Sequence, residues 1–234
     1  MQMKNFNLSN YLVAGPENCT FKPYGEVLAA ALRSGFTCIQ LRSKTASDDE
    51  LLRLADETAR IIAESGRRRE VTFLINDRAD IVLKAEKLGI KVDGVHVGQS
   101  DTPPDECRKM LGADAVIGLS APQERLDEYL ENADLSCVDY LGLAPLHKTE
   151  TKKDLAKNNE NRTIIPTLDE IKEFAEKSPL PVVIGGGVKK EDLPPLAQTA
   201  LSGYFVVSAV CGAENPCAAA EELVNSWNSF RKDI

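Results

Sequence analysis

Val71-Thr72-Phe73-Leu74-Ile75-Asn76-Asp77 and, one strand-helix interval later, Gly94-Val95-His96-Val97-Gly98-Gln99-Ser100-Asp101 share a grammar: a short apolar run opens into a polar loop that carries an aspartate. Val71–Ile75 and Gly94–Val97 read as buried strands, because a strand covered on both faces is a nearly continuous apolar stretch. In a parallel sheet the two strands end at the same rim, so Asp77 and Asp101 become neighbours. Either aspartate alone also reads as a helix N-cap, accepting hydrogen bonds from free backbone N–H groups. As a pair at adjacent strand ends they can hold one Mg²⁺.

The same unit repeats in both directions along the chain. Apolar runs occur at Tyr11–Ala14, Thr37–Leu41, Val71–Ile75, Gly94–Val97, Ala115–Leu119, Tyr140–Leu143, Pro181–Ile184 and Tyr204–Val207. Segments of helical periodicity separate them. Asp49–Glu64 sets Leu51, Leu52, Leu54, Ala55, Ala59, Ile61 and Ile62 on one stripe; Pro103–Leu111 and Glu191–Ala200 read as shorter helices. Eight alternating units in 234 residues match a (β/α)₈ TIM barrel, an α/β fold of typically about 250 residues. A doubly wound open sheet is the alternative, but the first strand-helix junction, Ala14-Gly15-Pro16-Glu17-Asn18, lacks the glycine spacing of a dinucleotide site. No Ser, Gly or Pro-rich linker divides the chain, so residues 1–234 are read as one domain. Residues 155–163, too polar to pack, are read as a loop insertion.

A net charge of −8 argues against a nucleic-acid partner, which needs a sustained basic surface. Any bound anion must be held by a local cluster. The first residues lack an apolar core of signal-peptide length and no segment approaches a membrane span, so the expected location is the cytoplasm. Six cysteines and two histidines, with no C-x-x-C spacing, point to reduced, mostly buried thiols rather than zinc. The oligomeric state is left open, a homo-oligomer included.

In a barrel, chemistry belongs at the carboxyl ends of the strands. Gln40, Arg42 and Lys44 follow one another with period two, so one face offers an amide and two cations; the plainer reading is a solvated strand end. Asn76-Asp77 and Gln99-Ser100-Asp101 close the next two strands, and Ser120 the fifth. After the sixth strand, Thr149, Thr151 and Lys152 can wrap a phosphate or belong to an exposed charged loop, and His147 reads as an incidental loop histidine. Gly185-Gly186-Gly187 after the seventh strand and Val207-Ser208 after the eighth match the barrel's frequent phosphate site. Two anion sites on one rim, one metal-assisted and one built of glycine and hydroxyl groups, suggest group transfer with pyrophosphate as leaving group.

These residues resemble the thiamine-phosphate synthase family. Gln40-Leu41-Arg42-Ser43-Lys44, Ile75-Asn76-Asp77, His96-Val97-Gly98-Gln99-Ser100-Asp101, Gly118-Leu119-Ser120, Thr149-Glu150-Thr151-Lys152-Lys153-Asp154 and Gly186-Gly187-Val188 match its motifs in order. The resemblance implies a transferase that joins 4-amino-5-hydroxymethyl-2-methylpyrimidine diphosphate to thiazole phosphate by a dissociative mechanism, giving thiamine phosphate and pyrophosphate. It further implies Asp77 and Asp101 as Mg²⁺ ligands. Gln40, Arg42, Lys44, Asn76, Ser120 and Lys152 would lie around the pyrimidine diphosphate, with Arg42, Lys44, Ser120 and Lys152 the catalytic set. Thr149, Thr151, Gly187, Val207 and Ser208 would receive the thiazole phosphate. The chain departs from the family pattern at Ala144, His147-Lys148, Pro122 and the 155–163 insertion, mostly on the thiazole side. A thiazole tautomerase of the same superfamily is the nearest alternative, though it would not need Arg42, Lys44, Asp77 and Asp101; a catalytically silent phosphate-binding barrel is another.

Overall fold

Residues 6–148 and 165–231 are described by the computed structural model. All eight apolar runs become strands: β1 (Asn10–Ala14), β2 (Cys38–Leu41), β3 (Thr72–Asn76), β4 (Gly94–Val97), β5 (Val116–Ser120), β6 (Tyr140–Leu143), β7 (Val182–Ile184) and β8 (Gly203–Val206). Their ends differ from the sequence reading by no more than one residue. Each strand pairs in parallel with the next and β8 pairs with β1, which closes the barrel. The open-sheet alternative is thereby excluded. The helices are α1 (Tyr24–Ser34), α2 (Asp48–Glu64), α3 (Ala79–Lys87), α4 (Pro104–Leu111), α5 (Leu126–Asn132), α6 (Leu168–Lys177), α7 (Leu193–Leu196), α8 (Ser208–Cys211) and α9 (Pro216–Phe230). Among the described residues, no helix is long and apolar enough to cross a membrane.

Side-chain parity along each strand sorts residues between two cores. Leu12, Ile39, Leu41, Phe73, Ile75, Val95, Val97, Ile117 and Leu141 face outward and pack under the helices. Tyr11, Val13, Cys38, Leu74, Val116, Tyr140 and Val183 fill the barrel interior, with Phe205 against them. Gln40, only 3% exposed, shares the inward parity of Cys38, so the amide that interrupts an apolar strand belongs to the interior.

The amino ends of the strands are tied by two carboxylate struts. Asp93 accepts Phe73 N–H at 2.7 Å and pairs with Arg68 at 2.7 Å. Asp139 accepts Ile117 N–H at 2.7 Å and pairs with Arg108 at 2.7 Å. Each strut satisfies a strand N–H one residue before the pairing with the next strand begins.

The helix expected over Glu191–Ala200 is a correction. A 3-10 turn at Lys190–Asp192 leads into the single α turn of α7. Pro194 and Pro195 have no N–H to donate and are tolerated only in a first turn. Thr199 Oγ1 then bonds back to Leu196 O at 2.6 Å, ending the segment. All six cysteines are free thiols, but only Cys38, Cys107 and Cys211 are buried; Cys19, Cys137 and Cys217 are partly exposed, so the expectation of mostly buried thiols is met by half of them. The 155–163 insertion lies outside the described residues.

Candidate active site

A cavity of about 540 Å³ opens at the carboxyl ends of the strands. Gln40, Arg42, Lys44, Asn76, Asp77, Asp101, Ser120, Gly187, Val207 and Ser208 all line it. Thr149, Thr151 and Lys152 lie outside the described residues.

The acidic pair is not a pair of helix caps. The residue before α3 is Arg78 and the one before α4 is Pro103, and neither helix start receives a side-chain bond. Asp77 instead takes a left-handed backbone, φ +62°, a region that Asp and Asn enter more readily than other non-glycine residues. Its N–H donates to His96 O at 2.8 Å, extending the β3–β4 pairing past the strand while the carboxylate turns to the cavity. There Asp77 Oδ2 lies 2.6 Å from Lys44 Nζ, and the Asp77 and Asp101 carboxyl groups hydrogen-bond to each other. Asp101 Oδ2 also accepts Gly98 N–H at 2.7 Å, bracing the β4 loop.

The two carboxyl groups are pushed apart in acidity. Burial raises Asp77, but the Lys44 ammonium and hydrogen bonds from Asp101 and Asn76 together hold it below the usual carboxylate range. Burial raises Asp101; the Gly98 N–H opposes the shift and the Asp77 charge adds to it. Two acidic groups close enough to share a proton, with oxygen donors only, form a donor set suited to a hard divalent cation that keeps most of its waters.

Lys44 is delivered by a short strand and a tether. Strand β2 ends at Leu41, so Arg42 and Lys44 lie beyond it rather than on a persisting strand. Arg42 N–H still donates to Ala14 O at 2.8 Å, and Glu17 Oε1 accepts Lys44 N–H at 2.9 Å. Gly15 permits this approach, since a Cβ there would sit 2.0 Å from Arg42 O.

On the opposite side, Gly186 and Gly187 have φ +78° and +82°, conformations that favour glycine. A Cβ on Gly187 would meet His147 Cβ at 3.0 Å. His147 Nε2 lies 2.9 Å from both Asp192 carboxylate oxygens. That contact ties the histidine to the turn before α7, so it is held in place rather than loose in its loop.

Sequence reasoning missed a chain of polar groups under the cavity floor. Gln40 Nε2 donates to Tyr11 Oη. Tyr11 Oη lies 2.9 Å from Tyr140 Oη, Tyr140 Oη 2.8 Å from His96 Nδ1, and His96 Nε2 3.0 Å from Ser120 Oγ. Inward parity was the available signal: Tyr11, Gln40, His96, Ser120 and Tyr140 all occupy interior positions. Gln99, inside the His96–Asp101 motif, joins the rim by donating to Ser120 O at 2.6 Å.

The thiamine monophosphate synthase family model matches residues 10–210. The chain is 37% identical over 217 residues to a thiamine-phosphate synthase of Psychrobacter sp. (strain PRwf-1), covering 93% of this chain and 94% of that one. It is 33% identical to a thiamine-phosphate synthase of Methanobrevibacter smithii, covering 97% and 99% of the two chains. Among solved structures, a thiamine phosphate pyrophosphorylase from Pyrococcus furiosus superposes with a TM-score of 0.75 at 27% identity, over 95% of this chain and 96% of that one. With the family model spanning most of the barrel and relatives this similar over nearly their full length, the chain belongs to the thiamine monophosphate synthase family.

Proposed function

We propose that this rim joins 4-amino-5-hydroxymethyl-2-methylpyrimidine diphosphate to thiazole phosphate, giving thiamine phosphate and pyrophosphate. The observation that carries the reading is the convergence of Lys44, Asp77 and Asp101 on one side of a cavity whose other side is Gly186–Gly187 and Ser208. One side suits a metal-bound diphosphate and the other a phosphate monoester. Family membership and relatives named for thiamine-phosphate synthesis support the reading.

In this reading the methylene C–O bond breaks and its electron pair leaves with the diphosphate. The thiazole nitrogen then donates its lone pair to the pyrimidinylmethyl cation, forming the C–N bond. Arg42 and Lys44 stabilise charge gathering on the departing oxygen, work for which preorganised cations are suited. Asn76 and Gln40 orient the pyrimidine diphosphate, and Ser120 contacts the pyrimidine. Gly187, Val207 and Ser208 hold the thiazole phosphate at bonding distance from the reacting carbon. Lys152, Thr149 and Thr151 complete the two ligand sets. Asp77 and Asp101 would hold Mg²⁺, which when bound supplies positive charge to the diphosphate. No protein nucleophile or general base is needed, which accords with the role given to His147.

The test supplies both precursors and Mg²⁺, with and without EDTA, and follows pyrophosphate and thiamine phosphate together. Both products should appear in equal amounts and both should vanish with EDTA. Folded protein that forms neither would overturn the reading; products that persist in EDTA would overturn the metal assignment alone.

A further inference from the structure

Gln40 and Ser120 line the same cavity yet stand at opposite ends of one interior hydrogen-bond chain. Each group in that chain has a limited supply of protons, so fixing one bond fixes the next. Gln40 spends an amide N–H on Tyr11 Oη, which leaves its carbonyl oxygen for the cavity. Tyr11 has one proton, and its polar neighbours are the Tyr140 phenol at 2.9 Å and the Cys38 thiol. The phenol oxygen is the better acceptor. Burial raises both phenols and the Cys38 thiol well above their ordinary values, so all three keep their protons. With the Tyr11 proton on Tyr140, the Tyr140 proton falls to His96 Nδ1, 2.8 Å away. In that order His96 Nδ1 accepts, and Nε2, 3.0 Å from Ser120 Oγ, is the nitrogen that carries the proton. In the same order the Ser120 proton is available to the cavity that Ser120 lines.

We infer that Tyr11, Tyr140 and His96 are positioning residues that fix Gln40 as a hydrogen-bond acceptor and Ser120 as a donor toward the ligand, so that the site selects a ring edge carrying an amino group beside an unprotonated ring nitrogen. This deepens the proposed function and rests on it, since the 4-aminopyrimidine substrate presents such an edge. Its amino group donates to Gln40 Oε1 and its ring nitrogen accepts from Ser120 O–H. The 4-oxo analogue presents the reverse pattern, a carbonyl beside a protonated nitrogen, and would require every group in the chain to turn over together.

The neighbouring strands make room for this chain. A Cβ on Gly118 would stand 2.4 Å from Tyr140 Oη, and one on Gly142 would stand 3.0 Å from His96 Cε1. Both glycines flank relay residues across paired strands, Gly118 beside both His96 and Tyr140. Tyr140 itself is fully buried, so its role is exerted through His96 and Tyr11 rather than on the ligand.

Two measurements decide the matter. Nitrogen-15 NMR of the imidazoles, simplified by there being two histidines in the chain, should show His96 neutral with its proton on Nε2; a proton on Nδ1, or on both nitrogens, overturns the assignment. Turnover of the 4-amino and 4-oxo pyrimidine diphosphates should then be compared in the parent protein, Tyr140→Phe and Tyr11→Phe. The parent should favour the amino compound by about a hundredfold or more in kcat/KM, and both variants should lower that ratio by about tenfold. A loss of packing alone would lower both rates and leave the ratio unchanged, and that result overturns the proposal. The NMR test stands even where a variant does not fold. A parent protein that turns over neither compound overturns the functional reading and the specificity claim with it, while the tautomer result still separates the two failures.

Discussion

Lys44 Nζ, carried just past the end of β2, lies 2.6 Å from Asp77 Oδ2, just past the end of β3. The ammonium is about half exposed, with 55% of its side chain accessible, so this contact contributes little to stability. Its consequence is positional: the contact holds Lys44 at the cavity rim, where in the proposed reaction a departing diphosphate would gather charge. Lys44→Met should lower the rate of pyrophosphate release by about a hundredfold while the thermal midpoint stays within about 1 °C. A parallel loss of melting temperature and activity would show that the residue acts on the fold instead.

Asp77→Asn is a sharper probe of metal binding than Asp77→Ala. Asparagine tolerates the left-handed backbone at this position, whereas alanine adds strain of about 1 kcal/mol. Asp77→Asn should raise the Mg²⁺ concentration needed for half-maximal activity by about tenfold or more, with an unchanged unfolding transition. Mg²⁺ titrations of activity beside denaturant melts would check both halves of the expectation.

Burial makes Asp101 hold its proton more tightly than an ordinary carboxyl group. A carboxyl that holds its proton more tightly folded than unfolded contributes stability below its unfolded value and loses it as pH rises through the folded one. At neutral pH the ionised Asp101 therefore works against the metal-free fold. Asp101→Asn, which can still accept Gly98 N–H, should raise the metal-free melting temperature by about 1–3 °C and remove stabilisation by Mg²⁺. For the parent protein, Mg²⁺ affinity should fall as pH drops through the Asp101 transition, because the cation displaces the shared proton. Calorimetric Mg²⁺ titrations in buffers of different ionisation enthalpy would show that proton release.

Gly187 has φ +82° and faces His147 Cβ. Gly187→Ala should cost about 1–2 kcal/mol of stability. It should also raise KM for thiazole phosphate more than KM for the pyrimidine diphosphate. Equal changes in the two constants would detach this loop from the phosphate it is assigned.

At the other end of the barrel, Arg108 pairs with Asp139, whose carboxylate also caps the Ile117 N–H. Arg108→Ala leaves a charge only 8% exposed without its guanidinium and should cost about 2–3 kcal/mol. The kcat at 25 °C should stay within twofold, since the strut lies at the end of the strands remote from the cavity.

The barrel was legible because its strands are covered on both faces, so each appears as an uninterrupted apolar run with a polar loop behind it. The cations, carboxylates and glycines of the rim were legible for the same reason, since they sit where those runs stop. The interior chain was not. Tyr11 and Tyr140 count as apolar residues within apolar strands, and they are 129 positions apart, so nothing local marks that their hydroxyl groups meet. His96 was read inside the strand Gly94–Val97, but its partners come from β5 and β6, so nothing local marked what its ring meets. The segment 191–200 misled through composition, its leucines and alanines suggesting helix where two successive prolines confine it to a turn.

The left-handed backbone of Asp77 also restricts how this site can be lost by descent. Of the residues one nucleotide away from an aspartate codon, asparagine and glycine accept φ near +60° at little cost, while valine and alanine do not. A lineage that lost the proposed metal site would therefore leave most easily through Asp77→Asn, Asp77→Gly or Asp77→His, the last also one nucleotide away and tolerant of this backbone, keeping a sound barrel with a silent rim. In sequences of such descendants, the letter at this position alone would report whether the chemistry was surrendered before the fold was disturbed.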